Sequence, residues 1–242
     1  LTLEPVGVVG DTALAARIAT CLVHRLPVSR LIIHGLNTVD LTDMPKHARL
    51  DRAPNLFDLA SECDLVILAC ETHAAARAAL TGTVDRPGLL EALKPGSVLA
   101  DFSPATPEQS TRLAGQLSAG AIGYVEAYLF GPIIYLGGYA DHTDQVTAAF
   151  DGVLDAERVG PQGTARVLAV LVDAHRDARK QLDSEFATIA LAYGLEGDAV
   201  ARHSLHADLG GGEPIGPVLD LASAHALPAP ILTLMKTLKS GV

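Results

Sequence analysis

Apolar positions follow two rhythms along this chain, and the change from one to the other divides it. Val6, Val8 and Val9 form a short run ending at Gly10, after which Leu14, Ala15, Ile18, Ala19 and Leu22 recur at intervals of three and four. The pattern predicts a strand, a tight turn and a helix. Residues 31–34 predict a second strand, closed by Gly35-Leu36-Asn37. A short helix is expected over 55–63, then a strand over 64–70 that is apolar on both faces and therefore buried on both. The alanine-rich stretch 72–80 reads as a helix, 89–93 as a further short helix, and 97–101 as a strand entered through Lys94-Pro95-Gly96. A helix over 107–117 and a strand over 123–129 continue the series. Strands alternating with helices across short turns predict a mainly parallel, doubly wound α/β sheet.

Near Gly163 the rhythm becomes wholly helical. Residues 163–193 are one long periodic stretch, stopped by Gly194 and Gly197. A helix of roughly 30 residues spans ~45 Å, more than a small domain needs. It is expected to be the spine of a helical domain that packs against a second copy. A loop rich in glycine (210–212) and proline (Pro214, Pro217) follows, then short helices over 218–226 and 230–239. The expected domains are therefore 1–160 and 161–242, the second all-helical.

Composition narrows the class. The 242 residues are 49% hydrophobic and 19% charged, which suits a globular protein with a sizeable core. A net charge of −10 argues against nucleic acid or an anionic membrane as partner, and the lack of Trp argues against base stacking. No apolar run approaches the ~18–20 residues that cross a bilayer, and no signal peptide is visible, so a cytoplasmic protein is expected. Cys21, Cys63 and Cys70 sit in apolar patterns and read as reduced, buried thiols. The His203 to Asp208 segment holds ligand types, but His203 and His206 have no clear third or fourth partner, so no metal is expected.

A strand, turn and helix at the start is how a dinucleotide-binding βαβ unit begins. Gly10 supplies the turn of G-x-G-x-x-G, but the next two glycine positions are Thr12 and Ala15. Ala is tolerated where helix and strand need only approach closely. Thr12 places a Cβ where backbone approaches a pyrophosphate, and Asp11 beside it repels phosphate. At the tip of the second strand, where an acid normally holds the ribose, Asn37 and Thr38 are the polar candidates. Lys46, His47, Arg49 and Arg52 beyond it could supply phosphate-binding charge or be a solvated loop.

Four stretches together resemble the β-hydroxyacid dehydrogenase superfamily, which includes 6-phosphogluconate dehydrogenase-like enzymes, 3-hydroxyisobutyrate dehydrogenases and imine reductases. VGVVGDTALAARIA is similar to the family's V-G-x-I-G-L-G-x-M-G-x-x-x-A, and CDLVILAC (63–70) to its A-D-V-V-I-x-C strand. LADFSPATPEQS (99–110) resembles D-x-S-T-x-x-P-x-x-S, and more closely the L-T-x-G-T-P-x-Q-A of imine reductases. ASAHALPAP (222–230) resembles A-x-x-x-G-V-P-x-P. The resemblance implies a Rossmann-type doubly wound domain followed by an all-α C-terminal dimerisation domain, working as a homodimer on a small molecule. It implies NADP or NAD as cofactor, held by Gly10, Asp11, Thr12, Ala13, Asn37, Thr38, Cys70 and Thr72. It also carries departures: Ala169 stands where the family has its catalytic Lys, Asp or Tyr, the family's Lys-Asp pair falls on Glu213-Pro214, and the loop between Phe130 and Tyr135 is short.

The candidate catalytic residues follow. Ser103 lies on the matched loop where the family holds substrate. Asp173 falls one turn beyond Ala169 on the same helix face, so it would act as acid or base, or else pair with Arg176 three residues on. His175 beside it reads as a surface residue more readily than a catalytic one. Tyr124, Glu126 and Tyr128 alternate along one strand and share a side; Glu126 and Tyr128 are candidates at a site expected between the sheet and helical domains. Tyr135 and Tyr139 are further candidate proton donors or pocket wall. Two readings stand. In one, NAD(P)H reduces an imine or carbonyl. In the other, the cofactor site has decayed, no dinucleotide binds, and the scaffold does acid–base chemistry such as cyclisation or isomerisation, or only binds a ligand. A scaffold or partner role without chemistry is the plainest alternative.

Overall fold

The computed structural model describes residues 5–24, 30–36, 49–196 and 215–233. The expected ribose contacts Asn37 and Thr38, the basic residues Lys46 and His47, the His203–His206 pair, Glu213-Pro214 and most of the last expected helix lie outside these. The chain parts into two compact units, Leu1–Ala169 and Val170–Val242.

The first unit is built on one eight-stranded sheet. In chain order its elements are β1 (Val6–Val9), α1 (Ala13–His24), β2 (Arg30–His34), β3 (Arg49–Arg52), α2 (Leu56–Glu62), β4 (Leu65–Leu68) and α3 (His73–Thr81). A small hairpin, β5 (Gly82–Thr83) and β6 (Arg86–Pro87), and a 3₁₀ turn at Leu89–Glu91 lead to β7 (Val98–Asp101) and α4 (Pro107–Ala119). Then come β8 (Gly123–Phe130), β9 (Ile133–Gly138), α5 (Ala140–Phe150) and β10 (Asp155–Gly160). The long α6 (Thr164–Ala192) begins in this unit. Strand order is β10-β9-β8-β7-β4-β1-β2-β3, parallel throughout except for the β8–β9 pair. This is a doubly wound α/β sheet of the Rossmann type.

The strands 49–52 and 155–160 carry no apolar run, and neither is evident from hydropathy. Both lie at the sheet's outer edges, where one side faces no neighbouring strand among the described residues. The helix 140–150 is also weakly marked, because its buried stripe mixes Thr143 and Ala149 with Val146 and Phe150. One core lies between the sheet and α1 with α5, centred on Ile18, Leu22, Ile67 and Phe150. The other lies against α2, α3 and α4, centred on Leu59, Val66, Leu99 and Tyr124.

Helices leaving the C-terminal edge of the sheet start on side-chain caps. Asn55 accepts from the Asp58 amide and Thr72 from the Ala75 amide, while Thr106 and Gln109 cap α4 reciprocally with Pro107 in the first turn. Thr12 does the same for α1, accepting from the Ala15 amide at 3.0 Å.

The second unit holds the rest of α6 and α7 (Ile215–Ala224). Its core gathers Ile189, Ala222, Ala229 and Leu232, with Leu182 and Phe186 packed against them. Glu185, buried, accepts from the Ile231 and Leu232 amides at 2.9 and 3.2 Å. No helix among the described residues is long and apolar enough to cross a membrane, and no group of His, Cys, Asp and Glu among them could hold a metal.

Candidate functional site at the C-terminal edge of the sheet

The parallel register aligns Val9 with His34 on one side and Leu68 on the other, then Leu68 with Asp101 and Asp101 with Glu126. These residues mark the C-terminal edge. Chain order reverses between β1 and β4, which makes that gap the switch point where doubly wound sheets bind ligands.

Gly10 sits in this gap with φ +148°, donating its amide to the His34 carbonyl at 3.1 Å. A Cβ there would stand 2.2 Å from the Ala69 carbonyl oxygen, so only glycine lets the turn pass so close to the end of β4. The Thr12 hydroxyl donates to that same Ala69 oxygen at 2.9 Å while it caps Ala15. Thr12 therefore bridges the turn to β4 and takes one of the orphan amides of α1. Among the described residues none accepts from the amides of Asp11, Thr12, Ala13 or Leu14. Asp11 and Ala13 are exposed. Four open amides at a helix N-terminus are a place for an anion.

The loops after β4 and β7 are tied together by Ser103. Its side chain is fully buried, and its hydroxyl accepts from the Cys70 amide at 3.0 Å. The Ser103 amide donates to Asp101 Oδ1 at 2.8 Å. Burial, and then the Asp101 charge, push the Cys70 thiol up to about 11. Thr72 lies at the exposed start of α3. The structure thus gathers Gly10, Asp11, Thr12, Ala13, Cys70, Thr72 and Ser103 along one edge, with the Ser103 hydroxyl turned into the protein.

Beneath them lies a buried ion pair that sequence patterns did not single out. Asp101 Oδ2 is 3.2 Å from Arg166 Nη2, and both side chains are about 5% exposed or less. The same guanidinium donates to the Asp101 backbone carbonyl at 2.7 Å. Tyr124 donates its hydroxyl to Asp101 Oδ2 at 3.1 Å, and burial together with that carboxylate raises its pKa well above the usual phenol value. Arg166 Nε also reaches Ser110 Oγ at 3.3 Å. The signal was present: Asp101 and Arg166 are single charges inside otherwise apolar stretches, VLAD and ARVLAVL.

Glu126 is wholly buried. Its Oε1 accepts from the Ala165 amide at 2.8 Å in the first turn of α6, and its Oε2 has no hydrogen-bond partner. Gly137 on β9 makes room for it, since a Cβ there would fall 2.2 Å from Oε1. Tyr128 lies farther along β8, opposite Tyr135 and stacked on Phe130 with ring centroids 6.5 Å apart. Asp173 belongs to the second unit, where it pairs with Arg176 at 2.7 Å, its side chain half-exposed.

An open-amide turn at the switch point of a doubly wound sheet defines a dinucleotide-binding type of domain. In agreement, the sequence family described as the NAD binding domain of 6-phosphogluconate dehydrogenase matches residues 29–153, and the chain belongs to that family. The matched stretch begins after α1, so the altered turn at Gly10 lies outside it. No curated protein sequence matches the chain. Among solved structures it is similar to an assigned oxidoreductase from Mycobacterium avium 104, at 19% identity and TM-score 0.79, covering 96% of this chain and 95% of that one. It is also similar to a 3-hydroxyisobutyrate dehydrogenase from Salmonella typhimurium (17%, TM-score 0.69, covering 95% and 90%). A third is an imine reductase from Aspergillus terreus in complex with NADPH4 and dibenz[c,e]azepine (14%, TM-score 0.75, covering 98% and 92%). At these identities the likeness establishes the fold.

The ion pair makes a prediction. Arg166→Met leaves the Asp101 carboxylate buried without its cation, and stability in urea unfolding should fall by about 3–5 kcal/mol. Adding Asp101→Asn should recover a large part of that loss. A single-variant loss below about 1 kcal/mol would show that the pair does not hold α6 to β7.

Proposed function

We propose that the chain is an NAD(P)H-dependent reductase of a small imine or carbonyl compound. The observation that carries this is the set of four open amides from Asp11 to Leu14 over the Gly10 turn. They fit a pyrophosphate, with the helix dipole of α1 behind them. Ala13 beside them adds no side-chain bulk beyond a methyl. A hollow of about 750 Å³ at the tip of β2, walled by His34, Asn55, Phe57 and α3, gives room for an adenosine half. Cys70 and Thr72 line the edge toward β7, where the reacting end would lie. When bound, the nicotinamide supplies a hydride. The solved imine reductase that carries NADPH4 and dibenz[c,e]azepine supports the same reading by its fold.

Ala169 has no ionisable group where the family carries its acid or base. A protonated iminium suits this, because it needs no strong proton donor at the reacting carbon. Ser103 and Glu126, sealed in the interior, are positioning residues in this reading. Ser103 fixes the Cys70 amide, and Glu126 fixes the first turn of α6. Tyr128 and Asp173 are less buried, and we assign proton supply to one of these two.

One observation favours the second reading, a non-redox enzyme or binding protein. The Thr12 hydroxyl already occupies the Ala15 amide and spans to Ala69.

Self-association is part of the proposal. Val170 and Leu171 in the second unit are 63% and 61% exposed, and with Ala174 they form an apolar stripe on α6. Leu171→Asp should halve the mass measured by light scattering. A wild-type chain that already runs as a monomer refutes the dimer.

Calorimetric titration of NADPH and then NADH tests the cofactor. Micromolar dissociation constants, ~8 kcal/mol, are expected for one of them. No heat with either at millimolar concentration sinks the redox reading and leaves acid–base chemistry at the same edge. Where a nucleotide binds, turnover of cyclic imines should fall at least tenfold in Tyr128→Phe or Asp173→Ala with nucleotide affinity unchanged. Full activity in both variants removes them as donors.

A further inference from the structure

A second cavity, of about 280 Å³, opens between α3 and α4. It is smaller than the roughly 300–1,000 Å³ usual for cofactor sites and suits a fragment-sized molecule. Its lining is more apolar than polar, with Leu80 from α3, Leu113 from α4 and Tyr124 from β8 among the residues that form it.

Its rim is cationic. His73 and Arg77 come from α3, one helical turn apart, and Arg112 comes from α4. The chain carries a net charge of −10, and its other arginines are mostly engaged. Arg30 pairs with Asp51 and Glu62, Arg176 with Asp173, and Arg17 and Arg158 donate to backbone carbonyls. Among the described residues Arg77 and Arg112 have no such partner. Asp101 is the one carboxylate in the cavity wall, and Arg166 offsets its charge. Two uncompensated guanidiniums therefore face one apolar hollow, in a protein that otherwise repels anions.

We infer that this cavity is a binding site for a small organic anion, a compact apolar body bearing a carboxylate or phosphate head. The body lies against Leu80, Leu113 and Tyr124, and the head meets Arg77 and Arg112 at the mouth. The site does not depend on the reductase reading, since Arg77 and Arg112 are not among the residues assigned to the nucleotide.

Fluorine NMR titration of the full chain tests it. The probes are 4-fluorobenzoate, 4-fluorophenyl phosphate and the neutral 4-fluorobenzamide. At least one anion should bind tenfold or more tightly than the amide, and the better of the two names the head group. Arg77→Gln and Arg112→Gln, both at exposed positions, should each weaken the anion at least fivefold while leaving the amide unchanged. Saturating NADPH should leave anion binding intact. Equal affinity for anion and amide overturns the proposal. So does anion binding indifferent to both arginines, or displacement of the probe by NADPH.

Discussion

The loops after β4 and β7, at the C-terminal edge of the sheet, rest on one buried ion pair. Asp101 ends the central strand β7, and Arg166 comes from the first turns of α6, 65 residues later. Their mutual attraction alone does not make such a pair favourable, because both charges give up water. What makes it tenable is complete hydrogen bonding: the Ser103 amide, the Tyr124 hydroxyl, Ser110 and two backbone carbonyls share the polar atoms. The pair sets the start of α6, which Glu126 then fixes from β8 through the Ala165 amide. It also holds the Ser103 loop, and through it the Cys70 amide.

The turn at Gly10 shows a different balance. A glycine at the position of Thr12 would leave the head of α1 uncapped and wholly open to an anion. Threonine gives one amide an internal acceptor and links the turn to β4 through Ala69. The helix start is stabilised by the order of 1 kcal/mol that N-caps contribute, and the amides left for an anion fall from five to four. Asp11, exposed beside it, adds a negative charge that opposes any phosphate there. The edge keeps its shape, and in the proposed function its pull on a dinucleotide would be moderated.

Much of the sheet could be read from apolar runs because its inner strands are buried on both faces. The strands at 6–9, 65–68 and 98–101 carry almost no polar residue until Asp101. The edge strands could not be read so, since a strand with one open side need not be apolar. The Gly137-Gly138 pair ends β9, and glycine stands at 137 because a side chain there would collide with the Glu126 carboxylate on the neighbouring strand, a contact that only the fold shows. Thr12 was visible as a departure from the glycine pattern, but its role as a cap required the position of Ala69. Asp101 and Arg166 were visible as lone charges, and only the fold could show that they meet. That Arg77 of α3 and Arg112 of α4 have no ion-pair partner among the described residues was likewise hidden, because pairing between distant surface charges leaves no pattern along the chain.

The charged edge strands have a consequence for how this molecule can assemble. β3 presents Asp51 and Arg52, and β10 presents Asp155, Glu157 and Arg158. A second copy adding its own edge strand would have to seat these charges beside its backbone. That arrangement is a common guard against sheets growing from one molecule into the next. Growth of the sheet from one molecule into the next is thereby disfavoured at both of its ends.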